Sequence, residues 1–231
     1  MSLVPCEFKR SKKSKSIKLF IGYQNQVVIT VPWNCPYQEA LNFLNSKGTW
    51  IEKQLDCRDK VQSLLDYLLK KPTIYGQGKK WAVEISFSDQ SGRLKIETDP
   101  ATKIHLILQK EHPYEQQIYL LLRKFAHQVL KVRLAELAEK TGLIVKKVRI
   151  ADQHSRWGSC SETGTISLNW RLILIPSKLQ DHILFHELAH LKHMNHSSDY
   201  YDYLNTLDSN MKKHQENFQK INNRIMRLGR M

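Results

Sequence analysis

Cysteine is scarce. The 231 residues hold four, Cys6, Cys35, Cys57 and Cys160, too far apart for the paired spacing of a zinc knuckle and too few for a disulfide scaffold. Reduced thiols in a cytoplasmic protein are the expectation. Nine glycines and seven prolines are too few for a collagen repeat or a low-complexity linker. No segment recurs at a fixed period, which excludes solenoids and propellers. Long apolar runs are also missing: Ile118 to Leu122 and Leu172 to Ile175 fall far short of the roughly 20 residues of a membrane-crossing helix. The basic stretch up to Lys18 leads into no apolar signal core and no small-residue cleavage site. Neither a membrane partner nor export by that route is expected. Acidic residues are in deficit, 22 against 36 Lys plus Arg, a formal net charge of +14. That excess favours anionic partners, non-specific nucleic acid among them, yet serves equally well as a solvated surface, and by itself assigns no chemistry.

What is present is enough apolar residue, 41%, to bury a core. Lys15 to Phe20 and Gln26 to Val31 are short β-rich runs around Gly22 to Asn25, the pattern of a hairpin, and Pro32 ends the second run. Apolar residues from Gln38 to Leu69 recur at helical spacing with a break near Lys47 and Gly48, which predicts two helices. Trp81 to Phe87 and Leu94 to Ile96 read as a second hairpin, and Lys103 to Leu108 alternates as a further strand. Pro113 and Gly142 bracket one long amphipathic helix. Strands are expected at Val145 to Ala151 and Thr165 to Leu174, joined by a turn over Ser159 to Gly164, followed by a helix from Lys178 to His193. The fold class is α+β. An N-terminal β-hairpin and helix module over residues 1–110 would precede a catalytic domain over 111–231.

The last helix carries His186-Glu187-Leu188-Ala189-His190, the H-E-x-x-H pattern. Histidines four apart lie about 40° apart around a helix and roughly 6 Å along it, so both imidazoles reach one cation. Glu187 is turned about 100° from His186, beside the metal and not on it, where a carboxylate takes a proton from attacking water. A catalytic zinc usually has three protein ligands and an open position. His182 and His193 share the face but fail on reach, because three ligands along a straight helix span at least about 10 Å. The third ligand is therefore sought after the chain turns at Met194-Asn195, where His196 is available; Asp199 or Asp202 is the competing choice.

Around these residues the chain resembles the YgjP-like zinc metallopeptidases, a family similar at a distance to the SprT type. The likeness rests on Arg156-Trp157-Gly158-Ser159-Cys160-Ser161, on Ile166-Ser167-Leu168-Asn169-Trp170-Arg171-Leu172, on His186 to Leu191 and on Asn195-His196-Ser197. It covers most of the chain and extends to the Lys12 to Ile17 stretch and Val31-Pro32. The resemblance implies a minimal zincin-like core and three histidine ligands, here His186, His190 and His196, holding one Zn2+ per chain, with a peptide or protein as substrate. Tyr200-Tyr201 stands where a Phe-Trp-like pair is expected; the pair packs under the metal loop or offers a phenol to an oxyanion. Arg156 and Trp157 border the cleft or simply pack, and Cys160 is a small thiol with no nucleophilic role. The Thr165 to Leu168 strand is a candidate edge for an extended peptide. The alternative function is a basic nucleic-acid-associated protein, or a protease of nucleic-acid-bound proteins, with a mainly structural metal.

Overall fold

The computed structural model describes residues 6–22, 25–56, 62–98 and 102–230, so Tyr23 and Gln24 of the first turn and Cys57 lie outside the described residues. The chain divides into two compact units, one up to Gln62 and the other Ser63–Gly229.

In the first unit, β1 (Cys6–Ser11), β2 (Lys18–Ile21) and β3 (Val27–Pro32) form a sheet in the order β1-β3-β2. The expected hairpin is the antiparallel β2/β3 pair, while β1 adds in parallel on the other edge of β3. The central β3 buries Val27, Val28, Ile29 and Val31. Helices α1 (Tyr37–Ser46) and α2 (Gly48–Asp56) follow, divided at Lys47. Ala40 of α1 packs with Ile29 and Val31, and Ile51 of α2 with Ile21 and Val27.

The second unit opens with α3 (Leu64–Lys70), capped by the Ser63 hydroxyl accepting from the Asp66 amide at 2.9 Å. The apolar stretch expected to hold two helices thus holds three. Strands β4 (Thr73–Gly76), β5 (Lys79–Ser88), β6 (Arg93–Glu97) and β7 (Lys103–Gln109) form a sheet in the order β4-β5-β7-β6. Here the second expected hairpin is corrected. β5 pairs with β4 across the Gln77-Gly78 turn, whose residues both take positive φ. β7 inserts between β5 and β6, parallel to the first and antiparallel to the second. The alternating β7 buries Ile104, Leu106 and Leu108, and a strand buried along one whole face belongs at the centre of a sheet.

Helix α4 (Tyr114–Thr141) starts after Pro113 and ends at Gly142, which takes φ 69° as a left-handed cap. It packs on β4 and β7 within the unit Ser63–Gly229. Beyond α4 come β8 (Lys147–Ala151), β9 (Gly158–Cys160) and β10 (Thr165–Asn169), in the order β8-β10-β9. β10 is the central strand, parallel to β8 and antiparallel to β9, so it offers no free edge to a peptide; β8 and β9 are the edges. The expected strand to Leu174 stops at Asn169, whose side chain accepts from the Arg171 amide and turns Trp170–Leu174 into a fully buried 3-10 helix. Helices α5 (Ser177–Ala189), α6 (Ser198–Leu207) and α7 (Met211–Arg227) complete the unit. Among the described residues no helix is long and apolar enough to cross a membrane.

Candidate metal centre

Helix α5 places His186, Glu187 and, at its C-cap, His190. The four-residue spacing brings the rings of His186 and His190 to 5.0 Å between centroids. The helix then ends, the chain passes Met194 and Asn195, and α6 begins at Ser198, which returns His196 to the same point. Its ring lies 5.3 Å from that of His186 and 4.7 Å from that of His190. One ring nitrogen from each of the three falls within 4.8 Å of the others, and neither Asp199 nor Asp202 joins the group. His186 Nε2 and His196 Nε2 are 3.4 Å apart, close to the separation of about 3.3 Å between two nitrogens on one tetrahedral zinc.

The opposite ring nitrogens of His186 and His190 are occupied. His186 Nδ1 is 2.7 Å from the Tyr200 hydroxyl, which is 3.3 Å from the main-chain carbonyl of His186. Both bonds are satisfied at once if Nδ1–H donates to the phenol oxygen and the phenol donates to the carbonyl. His190 Nδ1 is 3.0 Å from the carbonyl of His193 and donates to it. Each bond puts the ring proton on Nδ1 and leaves an Nε2 lone pair aimed at the cluster. Burial, reinforced by His190, His196 and His182, takes the His186 pKa down to about 3, and burial lowers that of His190 too. Neutral imidazole is the metal-binding form.

Glu187 is buried beside the histidines. Burial pushes its pKa up to about 8 against a downward pull from Arg156, and its Oε2 has no hydrogen-bond partner. Gly158 of β9 backs onto it: a Cβ there would sit 2.3 Å from Glu187 Oε1. Three imidazoles converging on one point, next to an orphaned carboxylate oxygen, fit a divalent ion of the zinc type with water at its open position.

A cavity of about 490 Å³ continues from the histidines and is lined by Arg156, Trp157, Gly158, Tyr201 and Phe218 among others. Both Arg156 and Trp157 therefore border the cleft. Trp157 Nε1 donates to Asn222 Oδ1 at 2.6 Å, and its ring meets Phe218 edge-on at 5.2 Å. Tyr200 is buried with its hydroxyl committed to His186, whereas the more exposed Tyr201 faces the cavity. Burial and the neighbouring Glu187 raise the Cys160 pKa to about 11, a protonated thiol and a poor nucleophile. His182 turns to Asp208, at 2.8 Å, and His193 contributes its carbonyl while its ring packs on Tyr203. The roles of Tyr200, Gly158 and the His193 carbonyl were not read from the sequence. The glycine lies within the motif, but nothing local tells that it faces Glu187.

The profile of the YgjP-like metallopeptidase domain matches residues 15–221. This chain belongs to the YgjP-like family. It is accordingly a metal-dependent peptidase, with an α+β catalytic core of a long helix, a small sheet and a histidine-bearing helix. Among solved structures, the metallopeptidase zymogen of Pyrococcus abyssi abylysin is similar at 25% identity and a TM-score of 0.35, covering 38% of this chain and 91% of that one. No curated protein matches the chain.

Proposed function

We propose that this YgjP-like protein is a zinc peptidase in which His186, His190 and His196 hold one Zn2+ and Glu187 is the general base. The observation that carries the reading is the convergence of three imidazoles, two of them anchored through Nδ1, on one point beside the unpartnered Glu187 Oε2. All four residues fall within 111–231, the segment we propose carries catalysis, with 1–110 as its N-terminal module.

Zinc in this setting supplies a Lewis acid that polarises the scissile carbonyl and acidifies the attacking water. Glu187 accepts the proton of that water as it attacks and returns it to the leaving amine. Tyr200 and the His193 carbonyl hold two of the imidazoles in the ligand tautomer. Gly158 lets the main chain approach the carboxylate, and its strand β9, an edge, offers main-chain groups with which an extended peptide pairs next to Glu187. We assign the oxyanion to Tyr201, which lines the cavity, since the Tyr200 hydroxyl is already engaged.

A mainly structural metal in a nucleic-acid-binding protein calls for a fourth protein ligand. The group found among the described residues has three.

The test is metal content and general peptidase activity on wild type, Glu187→Gln and His196→Ala. About one zinc per chain is expected in wild type and in Glu187→Gln, with turnover lost in the latter, and the zinc is expected to be lost from His196→Ala. Full metal in His196→Ala would remove that residue from the ligand set; wild-type turnover in Glu187→Gln would end the proposed mechanism.

A further inference from the structure

A second cavity, about 720 Å³, shares His182 with the cavity beside the histidine cluster but is otherwise lined by different residues, and it is strongly basic. Lys71, Lys178, Lys213, Lys220 and Arg224 line it. Three of these stand on one stripe of α7, since Lys213, Asn217, Lys220 and Arg224 follow one another at steps of four, three and four. Like charges repeated along one helix face oppose the helix unless a counter-charge is supplied.

The cavity's two carboxylates do not balance its cations: Asp181 takes both arms of Arg133 at 2.8 and 2.7 Å, and Asp208, which accepts from His182 at 2.8 Å and from His214 at 2.9 Å, sets a single negative charge against five positive ones. Among the described residues none of the five cations is in an ion pair. Lys71 is partly buried, and burial followed by the nearby Arg224 lowers its proton affinity, so these two charges crowd each other. Asn217 Oδ1 accepts from Lys220 Nζ at 3.4 Å, which leaves the amide hydrogens of Asn217 free to donate. The cavity is also not a mere surface patch. Leu174, Leu179, Phe185 and Ile225 give it an apolar floor, and its volume is that of a small-molecule site.

We infer that this cavity is a binding site for a phosphate-chain anion, a polyphosphate or a nucleoside polyphosphate. The stripe from Lys213 to Arg224 runs about 16 Å along the helix, longer than one phosphate group, so the ligand carries several. Cations on long side chains converging from α3, α5 and α7 suit the charge of a phosphate chain, and the apolar floor suits a base attached to it. A free metal cation is disfavoured there by the five positive charges, although His182, Asp208 and His214 bring their ligand atoms within 4.8 Å of one another.

Calorimetric titration of the full chain with inorganic tripolyphosphate, and separately with ATP, tests the site. Lys71→Ala/Arg224→Ala removes two lining charges, and Lys95→Ala/Lys140→Ala removes two exposed charges elsewhere. One anion per chain is expected, weakened at least about tenfold in the first variant and less than about twofold in the second. Tighter binding of ATP than of tripolyphosphate shows that the apolar floor takes the base; equal binding shows that the phosphate chain alone is recognised. Equal weakening in both variants, as general attraction to a basic protein gives, overturns the proposal. So does binding unaffected by either, as an anion captured at the histidine cluster gives, and so does the lack of saturable binding in wild type. Should Lys71→Ala/Arg224→Ala fail to fold, Lys213→Glu at an exposed position is expected to weaken binding by a similar factor.

Discussion

His186 owes its orientation to a hydroxyl fourteen positions along the chain. Replacing Tyr200 by Phe keeps the buried ring and removes only the oxygen that accepts from His186 Nδ1. We expect metal affinity to fall by roughly 10- to 100-fold, the usual cost of losing a partner that orients a ligand, with turnover of the metal-loaded protein largely retained. Chelator competition measures the first and peptidase assay the second. Unchanged affinity would mean that packing alone orients the imidazole; lost turnover with metal bound would return Tyr200 to the reacting groups. Gly158 acts on the other side of the same centre. An alanine there meets Glu187 Oε1, Cδ and Cγ at 2.3 to 2.6 Å, and with Glu187 buried the carboxylate must move. Displacing the proposed base by about an ångström costs on the order of 100-fold in turnover, so Gly158→Ala is expected to lose activity to that extent while keeping its metal. Full activity would show that the carboxylate has room to shift.

At the scale of elements, the histidine helix is tied to the start of α7 through Asp208. Burial alone would raise the Asp208 pKa, but hydrogen bonds from His214 and His182 outweigh it and hold the carboxyl below its usual range. Burial lowers His182, and Asp208 only partly restores it. Both shifts have the same consequence. The folded state binds fewer protons than the unfolded chain, so stability is fully present above the unfolded His value of about 6.5 and declines as pH falls towards the depressed His182 value; the Asp208 share goes below about 4. A urea midpoint that drops between pH 7 and pH 5 in wild type and drops less in His182→Gln is expected. An unchanged slope would place the acid sensitivity elsewhere. Elements of this kind differ in how well a sequence shows them. Helix α4 was legible because Pro113, Gly142 and a 3.6-residue period agree, and the three clustered histidines were legible because a four-residue spacing and a turn fix geometry locally. The order β4-β5-β7-β6 was not, since the choice between a β5/β6 hairpin and an inserted β7 depends on which strand is buried in the assembled sheet. The 3-10 helix at Trp170–Leu174 was hidden for a related reason: a run of buried apolar residues has no period to separate strand from helix. The third helix after Ser63 went unseen because its apolar residues merge with those before it.

For the molecule as a whole, the second unit is closed by contacts that span much of its length, and Arg171 is the clearest of them. It is completely buried, pairs with Asp152 through Nη1, and donates from Nε to the Leu228 carbonyl at 2.6 Å and from Nη2 to the Gly229 carbonyl at 3.3 Å. One guanidinium thus joins the 3-10 helix, the segment after β8 and the end of α7. Trp157 to Asn222 and the Tyr67 hydroxyl to the Leu174 carbonyl, at 3.2 Å, are further bonds of the same reach. A fully buried cation is tolerated only when its donors are satisfied, and here the planar fork serves a carboxylate and two carbonyls together. Arg171→Met preserves most of the volume but removes the donors to both carbonyls and leaves Asp152, partly exposed, with the Tyr119 hydroxyl at 3.1 Å. It is expected to cost about 2–6 kcal/mol in urea unfolding, because two carbonyls each lose a donor at about 1–3 kcal/mol apiece. Asp152→Asn, which leaves a neutral acceptor at a partly exposed position, is expected to cost less. If Arg171→Met loses under about 1 kcal/mol, the C-terminal end is held by packing alone. Because the histidines do not touch this network, the fraction of Arg171→Met that remains folded should still take up about one zinc per chain, separating loss of fold from loss of the metal centre.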